Sequence, residues 1–288
     1  MTDQIHPPFP DQNMRPPGRE SNMNPQPRFT GAAYRPADKL KNRTALITGG
    51  DSGIGRSVAT LFAREGADVA IIYLPEEQAD AETTARHIQD AGRQALLIPG
   101  DVADPAFCEQ AVARTVDTLG GVDVLVNNAA YQRHRDSLDG VSIEQWDTTF
   151  RTNVFGYFYM AKFAVPHMPP GSAIINTGSV TGLEGKSRLL DYSATKGAIH
   201  ALTKSLAQSL VDQQIRVNCV APGPVWTPLN PAERDDEDIR DFGEATPMGR
   251  PGQPEEMAPA YVFFASHADS SYITGHVLPV LGGETTAG

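Results

Sequence analysis

With 288 residues, 40% of them hydrophobic, the chain has material for one large packed domain or two small ones. Its 35 acidic against 24 basic side chains give a formal net charge of -11, which excludes the concentrated basic face of a nucleic-acid binder. No apolar run approaches the roughly 18 residues of a membrane span, and the opening M-T-D-Q-I-H-P-P has neither the basic nor the apolar region of a signal peptide; a cytoplasmic protein without nucleic-acid or membrane partners is expected.

Residues 1–40 hold 8 of the 23 prolines and few aliphatic side chains, a composition that cannot build a core of its own. They are expected as an arm, lying along its own body or along a neighbouring subunit. From residue 41 strands and helices alternate. A short strand at 44–48 (T-A-L-I-T) runs into G-G-D-S-G-I-G and a helix over 56–65. The run D-V-A-I-I-Y at 68–73 is continuously apolar, as parallel strands covered on both faces are. A charged helix over 76–91, a strand at 94–99, a helix over 105–119 and a strand at 122–126 follow. Then come a long helix over 143–165, a strand at 173–176, a helix over 192–210 and a strand at 215–220. Residues 224–247 are polar, acidic and broken by proline, as a mobile lid would be. A last helix over 254–265 precedes a strand at 276–280. This order predicts one α/β domain over 41–288, a single doubly wound parallel sheet with helices on both faces. Cys108 and Cys219 stand far apart with no metal-ligand spacing around them, so buried thiols and no metal site are expected.

Thr48-Gly49-Gly50-Asp51-Ser52-Gly53-Ile54-Gly55 lies between the first strand and the first helix. Glycines there permit positive φ and remove the Cβ that would keep a backbone from a pyrophosphate, while the helix start offers free N–H groups. Its place in the first βα unit, at the carboxyl ends of the strands, points to a dinucleotide. No Gly-Lys-Ser/Thr follows, so it is not a P-loop.

The stretch from Ser179 to Lys196 carries the chemistry. On a helix, Tyr192 and Lys196 project from one face a single turn apart. An ammonium beside a phenol favours the phenolate, and a serine hydroxyl at the same spot suits a carbonyl oxygen. Together they describe a carbonyl/alcohol redox centre.

Over roughly residues 40–283 these motifs resemble the short-chain dehydrogenase/reductase family. The spacing of Gly49, Gly53 and Gly55 is similar to its TGxxxGxG turn. Asn127-Asn128-Ala129-Ala130 is similar to its NNAG motif, with Ala130 in place of the usual glycine. Asn153, in R-T-N-V-F-G, resembles the helix asparagine that holds a water relay to the lysine. Ser179, Tyr192 and Lys196 resemble its catalytic residues, with Gly178 where relatives often have serine. Pro222-Gly223, with Val225 and Thr227, resembles the loop that embraces nicotinamide. The proline-rich arm, G-G-D-S-G-I-G and N-N-A-A-Y-Q are similar to a bacterial subgroup labelled stress-associated or aldehyde-reducing.

The resemblance implies a Rossmann-type sheet of about seven strands, hydride transfer between nicotinamide and a carbonyl carbon, Tyr192 as acid/base and Lys196 acting on both the tyrosine and the nicotinamide ribose. Asp101 and Val102 resemble the pair that contacts adenine, and a homotetramer is implied as well. Nucleotide choice is read from the second strand's end, where the ribose-binding acid of NAD enzymes is replaced by Tyr73. No Arg or Lys stands in residues 73–78 for a 2'-phosphate, Asp51 faces that place from the glycine loop, and Arg56 is the nearest base. The reading leans to NAD(H), with NADP(H) left open. Residues 131–135, 183–190 and 224–247 are expected to form the substrate pocket. Arg133, His134, Arg135, Lys186 and Arg188 there suit an anionic carbonyl compound or are solvated rim charges, and His134 is read as a surface loop histidine. A sugar or polyol substrate and a binding-only protein are the alternatives.

Overall fold

Seven short apolar runs form the strands: β1 (Thr44–Thr48), β2 (Asp68–Tyr73), β3 (Ala95–Pro99), β4 (Val124–Asn127), β5 (Ala173–Thr177), β6 (Arg216–Pro222) and β7 (Val277–Val280). The structure, a computed structural model, describes residues 5–12 and 14–285. Residues 1–4, 13 and 286–288, which belong to the predicted arm and to the end of the predicted domain, lie outside the described residues. All strand pairs are parallel, in the order β3-β2-β1-β4-β5-β6-β7. The chain therefore builds outward from β1 in one direction and then, from β4 on, in the other. That reversal opens a crevice beyond the carboxyl ends of β1 and β4, where ligands bind in such sheets.

The helices are α1 (Gly53–Arg64), α2 (Gln78–Asp90), α3 (Pro105–Leu119), α4 (Ile143–Phe150), α5 (Gly156–Ala164), α6 (Thr181–Glu184), α7 (Leu190–Leu210), α8 (Asp236–Arg240), α9 (Pro254–Ala265) and α10 (His267–Ser270). Successive side chains of a strand point to opposite faces, and β1 shows the result. Ala45 and Ile47 pack with Phe62 of α1, Ile88 of α2 and Tyr261 of α9, while Leu46 packs with Val112 of α3, Met160 of α5 and Ala207 of α7. Both faces are thus covered, which is why the strands read as unbroken apolar runs. Cys108 and Cys219 are buried free thiols.

The predicted single helix over 143–165 is interrupted. Arg151–Phe155 forms one π-turn between α4 and α5, and Asn153 sits in it, fully buried. Its Oδ1 accepts from the Tyr131 N–H at 2.7 Å and its Nδ2 donates to the Tyr131 carbonyl at 2.9 Å. An inserted residue of this kind, common at functional sites, turns the side chain out of the helical ladder toward its partner.

The arm lies along its own body. Phe9 stacks on Trp226 with ring centroids 4.1 Å apart, its N–H donates to the Arg240 carbonyl at 2.8 Å, and Trp226 Nε1 donates to the Pro25 carbonyl at 2.9 Å. Met23, Ile239 and Phe242 complete this small cluster. Lacking a core, the arm shares one with residues 224–247, so that segment is clamped where the sequence suggests a mobile lid. Trp226 is the largest fully buried side chain and touches both segments. Trp226→Ala is expected to cost about 3–5 kcal/mol, the usual range for emptying so large a site, measured as a lowered urea midpoint in the full chain.

Candidate active site

Helix α7 sets the register of the site. Tyr192, Lys196 and His200 follow each other at four-residue spacing, and all three are buried. Lys196 Nζ donates to the Thr177 carbonyl at the end of β5 at 2.7 Å. It lies 5.3 Å from the Tyr192 ring centroid and 5.6 Å from that of Tyr157. Burial lowers the Lys196 pKa to about 8, with a smaller opposing pull from Cys219. His200 is pushed down to about 4, first by burial and then by Lys196, and so stays neutral. It also explains Gly178, whose Cβ would lie 2.3 Å from His200 Nε2.

For Tyr192 the expected lowering by lysine is not among the influences that shift it. Burial raises its pKa above the ordinary phenol range, and a hydrogen bond with Ser179 offsets only part of that rise. The phenol therefore rests protonated, as a proton donor to a carbonyl must. Ser179 Oγ accepts from the Thr181 N–H at 3.2 Å and from Thr181 Oγ1 at 3.1 Å. Its single proton remains for other acceptors.

A cavity of about 800 Å³ lies over the carboxyl ends of the strands. It is lined by Ser179, Tyr192 and Lys196, and by Gly49, Asp51, Ser52, Gly53, Ile54, Tyr73, Asp101, Val102, Asn128, Ala129, Pro222, Gly223, Val225 and Thr227. Two of the residues singled out in the sequence stand behind the wall. Asn153 holds the Tyr131 backbone and donates to Thr195 Oγ1 at 3.1 Å, the backbone-binding role. Gly55 is a packing position, since a Cβ there would lie 1.9 Å from the Gly49 carbonyl. Gly49 and Gly53 have φ of +61° and +51°, and Asn128 Nδ2 donates to the Gly49 carbonyl at 3.0 Å.

Acids gather at the β2 end of the cavity. Asp51 is 2% exposed, its Oδ2 has no hydrogen-bond partner, and burial pushes its pKa up to about 6. Glu77, which the sequence reading passed over, lines the same region and is pushed up to about 8 by burial and then by Asp51. Asp101 accepts from the Ala103 N–H at 2.9 Å, a turn contact. Arg56 is committed elsewhere: its Nε donates to the Asp51 carbonyl at 2.8 Å, and it pairs with Glu20 and, at 3.1 Å, with Asp80.

Two of the arginines singled out for the substrate pocket are likewise engaged. Arg188 pairs with Asp136 at 3.0 Å and Asp238 at 2.7 Å, and Arg135 Nε donates to Gln145 at 2.7 Å. His134 is not a loose surface residue. Its Nδ1 and N–H both reach the Glu233 carboxylate at 2.7 Å, and Gln132 Nε2 donates to it at 2.7 Å. Gln132 and Glu233 line the cavity, as does Lys186. Glu233 lies inside the predicted lid, but nothing local marks it, because its partners are about a hundred positions away.

The orphaned Asp51 acceptor, the positive-φ glycines and the Cβ-free approach to the loop fit a nicotinamide dinucleotide. A family model described as enoyl-(acyl carrier protein) reductase matches residues 49–285. The chain belongs to the short-chain dehydrogenase/reductase family. The uncharacterized oxidoreductase YhdF of Bacillus subtilis is 55% identical, over 95% of this chain and 94% of its own. An Arabidopsis thaliana protein named NADPH-dependent aldehyde reductase 1, chloroplastic, is 46% identical over 93% and 94% of the two chains, and a Daucus carota glucose and ribitol dehydrogenase 46% over 97% and 98%. Among solved structures, a short-chain dehydrogenase from Burkholderia cenocepacia in complex with NADP superposes with a TM-score of 0.79 at 33% identity, covering 85% of this chain and 98% of that one.

As a short-chain dehydrogenase/reductase the chain is an NAD(P)-dependent oxidoreductase, and its buried lysine has an energetic signature. A folded pKa of about 8 against an ordinary 10.5 means that the unfolded chain binds the extra proton, so stability rises as pH rises from 8 to 10.5. At pH 7 the cost is about 3 kcal/mol by the pKa difference. Lys196→Met should therefore raise the urea midpoint at pH 7 while abolishing turnover, with the stability gain shrinking toward pH 10.

Proposed function

We propose that the chain reduces a neutral, hydroxylated aldehyde or ketone to its alcohol, and catalyses the reverse oxidation, with NAD(H) as the preferred dinucleotide. Bound nicotinamide supplies or accepts the hydride. Tyr192 gives its phenolic proton to the oxygen of the carbonyl being reduced, or takes the proton from the alcohol in reverse. Ser179 donates its proton to the same oxygen and steadies the charge that grows there. Lys196, held by the Thr177 carbonyl, keeps a positive charge behind the tyrosine and reaches the ribose side of the cavity. Asn153 positions Tyr131 at the cavity's rim through two backbone hydrogen bonds. The convergence of Ser179, Tyr192 and Lys196 on the cavity that the glycine loop also lines is the observation that carries this reading.

Nucleotide preference follows from charge. Asp51 and Glu77 put two carboxyl groups beside the end of β2 and offer acceptors to ribose hydroxyls, while a 2'-phosphate meets the like charge of Asp51 and finds Arg56 already paired. The name of the Arabidopsis relative points the other way, to NADPH. The substrate is read from the same balance. Glu233, held by His134 and Gln132, adds negative charge at the substrate end, and Arg135 and Arg188 are engaged, so hydroxyl donors are favoured over anions there although Lys186 lines the cavity. This favours the sugar or polyol reading within the same chemistry, as the name of the carrot relative does. A homotetramer is part of the proposal: Phe155 and Phe158 are 40% and 45% exposed on and beside α5, a face suited to a second copy.

Tyr192→Phe is expected to lower turnover at least about a thousandfold, within the range of general acid catalysis, with dinucleotide binding retained; unchanged turnover on an accepted substrate sinks the mechanism. Titration should show NADH bound at least about tenfold more tightly than NADPH, roughly 1.4 kcal/mol, and Asp51→Ser should narrow the gap. A preference for NADPH contradicts the roles given to Asp51 and Glu77.

A further inference from the structure

The arm lies outside the family match, which begins at residue 49, yet it reaches the centre of the glycine loop. Glu20 is fully buried. One carboxylate oxygen accepts from the Gly53 N–H at 2.6 Å, at the first residue of α1, where φ is +51°. The other oxygen pairs with Arg56, and the Glu20 N–H donates to Asp80 Oδ2 at 2.9 Å. Arg56 in turn donates to the Asp51 carbonyl at 2.8 Å and to Thr84 Oγ1 at 3.2 Å. A single arm side chain thus closes a network that fixes both ends of the turn from Asp51 to Gly53. Just upstream, Pro16, Pro17 and Gly18 form part of the cavity wall. Gly18 is pressed against the lid so closely that a Cβ would lie 2.6 Å from the Pro228 carbonyl and 2.8 Å from Ala232 Cβ.

We propose that Glu20 is a positioning residue for the dinucleotide, so that docking of the arm and binding of the dinucleotide are coupled. The proposal rests on the reading that the dinucleotide lies along the loop from Gly49 to Gly53. With Glu20 in place the loop is held in its left-handed turn and the wall at Pro16–Gly18 is closed. Without it the Gly53 N–H loses its acceptor and the buried Arg56 loses one of its two carboxylates, a costly loss that frees the loop and the arm together. Coupling is reciprocal: whatever factor the docked arm adds to dinucleotide affinity, the dinucleotide adds to arm docking.

The bond after Arg19, an exposed residue next to Glu20, reports on release of the arm. In the native full chain, saturation with NADH is expected to slow trypsin cleavage after Arg19 about tenfold, within the usual range of coupling factors. Glu20→Ala is expected to raise the Kd for NADH by a similar factor of about ten, and to remove the protection. Glu20→Gln, which keeps an acceptor for Gly53 but not the ion pair, falls between. A merely structural role would not make cleavage after Arg19 depend on NADH more strongly than cleavage elsewhere in the chain. Cleavage indifferent to NADH in a native chain that binds it, or an unchanged Kd in Glu20→Ala, overturns the proposal alone. A native chain that binds neither NADH nor NADPH overturns the dinucleotide reading and the proposal with it. Should Glu20→Ala not fold, the native cleavage experiment decides by itself.

Discussion

An ammonium buried without a carboxylate is the constraint on which the site depends. Among the described residues Lys196 has no acid partner, only the Thr177 carbonyl and the faces of Tyr157 and Tyr192. Such a charge is expensive to hold, and the fold sets a fully covered strand end, β5, directly beneath α7 to hold it. The same desolvation acts on its neighbours in opposite directions. It lowers Lys196 and His200 and raises Tyr192, so the row on α7 is a lysine near its titration point between a neutral imidazole and a protonated phenol. A dry site of this kind makes every later charge count for more.

Acids dominate the rest of the cleft, and they are placed by segments far apart in the chain. Asp51 and Glu77 stand at the dinucleotide end, Glu233 at the substrate end, and Glu20 behind the loop. Two basic side chains that would attract a phosphate or an anionic substrate are drawn into pairs, Arg56 by Glu20 and Asp80 and Arg188 by Asp136 and Asp238. The overall charge of -11 is thus expressed locally as carboxyl groups at both ends of the cleft. The arm takes part in this by clamping the lid through Phe9 and Trp226 and the loop through Glu20, so the two walls of the cleft share one fastening.

Much of the fold and of the chemistry is local, and for that reason legible in the sequence. Strands such as D-V-A-I-I-Y declare burial on both faces, the glycines at 49, 53 and 55 mark a backbone approach, and the spacing of Tyr192 and Lys196 fixes a shared helix face. The misses are non-local. The helix over 143–165 reads as continuous because Asn153 departs from it only to meet Tyr131, a partner that periodicity does not reveal. His134 looks like a surface residue until Glu233, 99 positions on, is folded against it. Glu77 stands in a stretch whose lack of Arg and Lys draws the eye away from its acids, and Glu20 sits in an arm whose composition announces no structure. The tyrosine is raised where its lysine is expected to lower it, because desolvation depends on the whole surrounding wall, which spacing alone does not describe.

The most direct test is a spectrophotometric titration of Tyr192 itself, as the phenolate absorbance of the native protein minus that of Tyr192→Phe without dinucleotide. Burial as the dominant influence predicts no phenolate signal from this residue up to pH 10, the ordinary value for the group. A signal that develops below that value would mean that Lys196, and not desolvation, sets the state of the tyrosine, and would contradict the account.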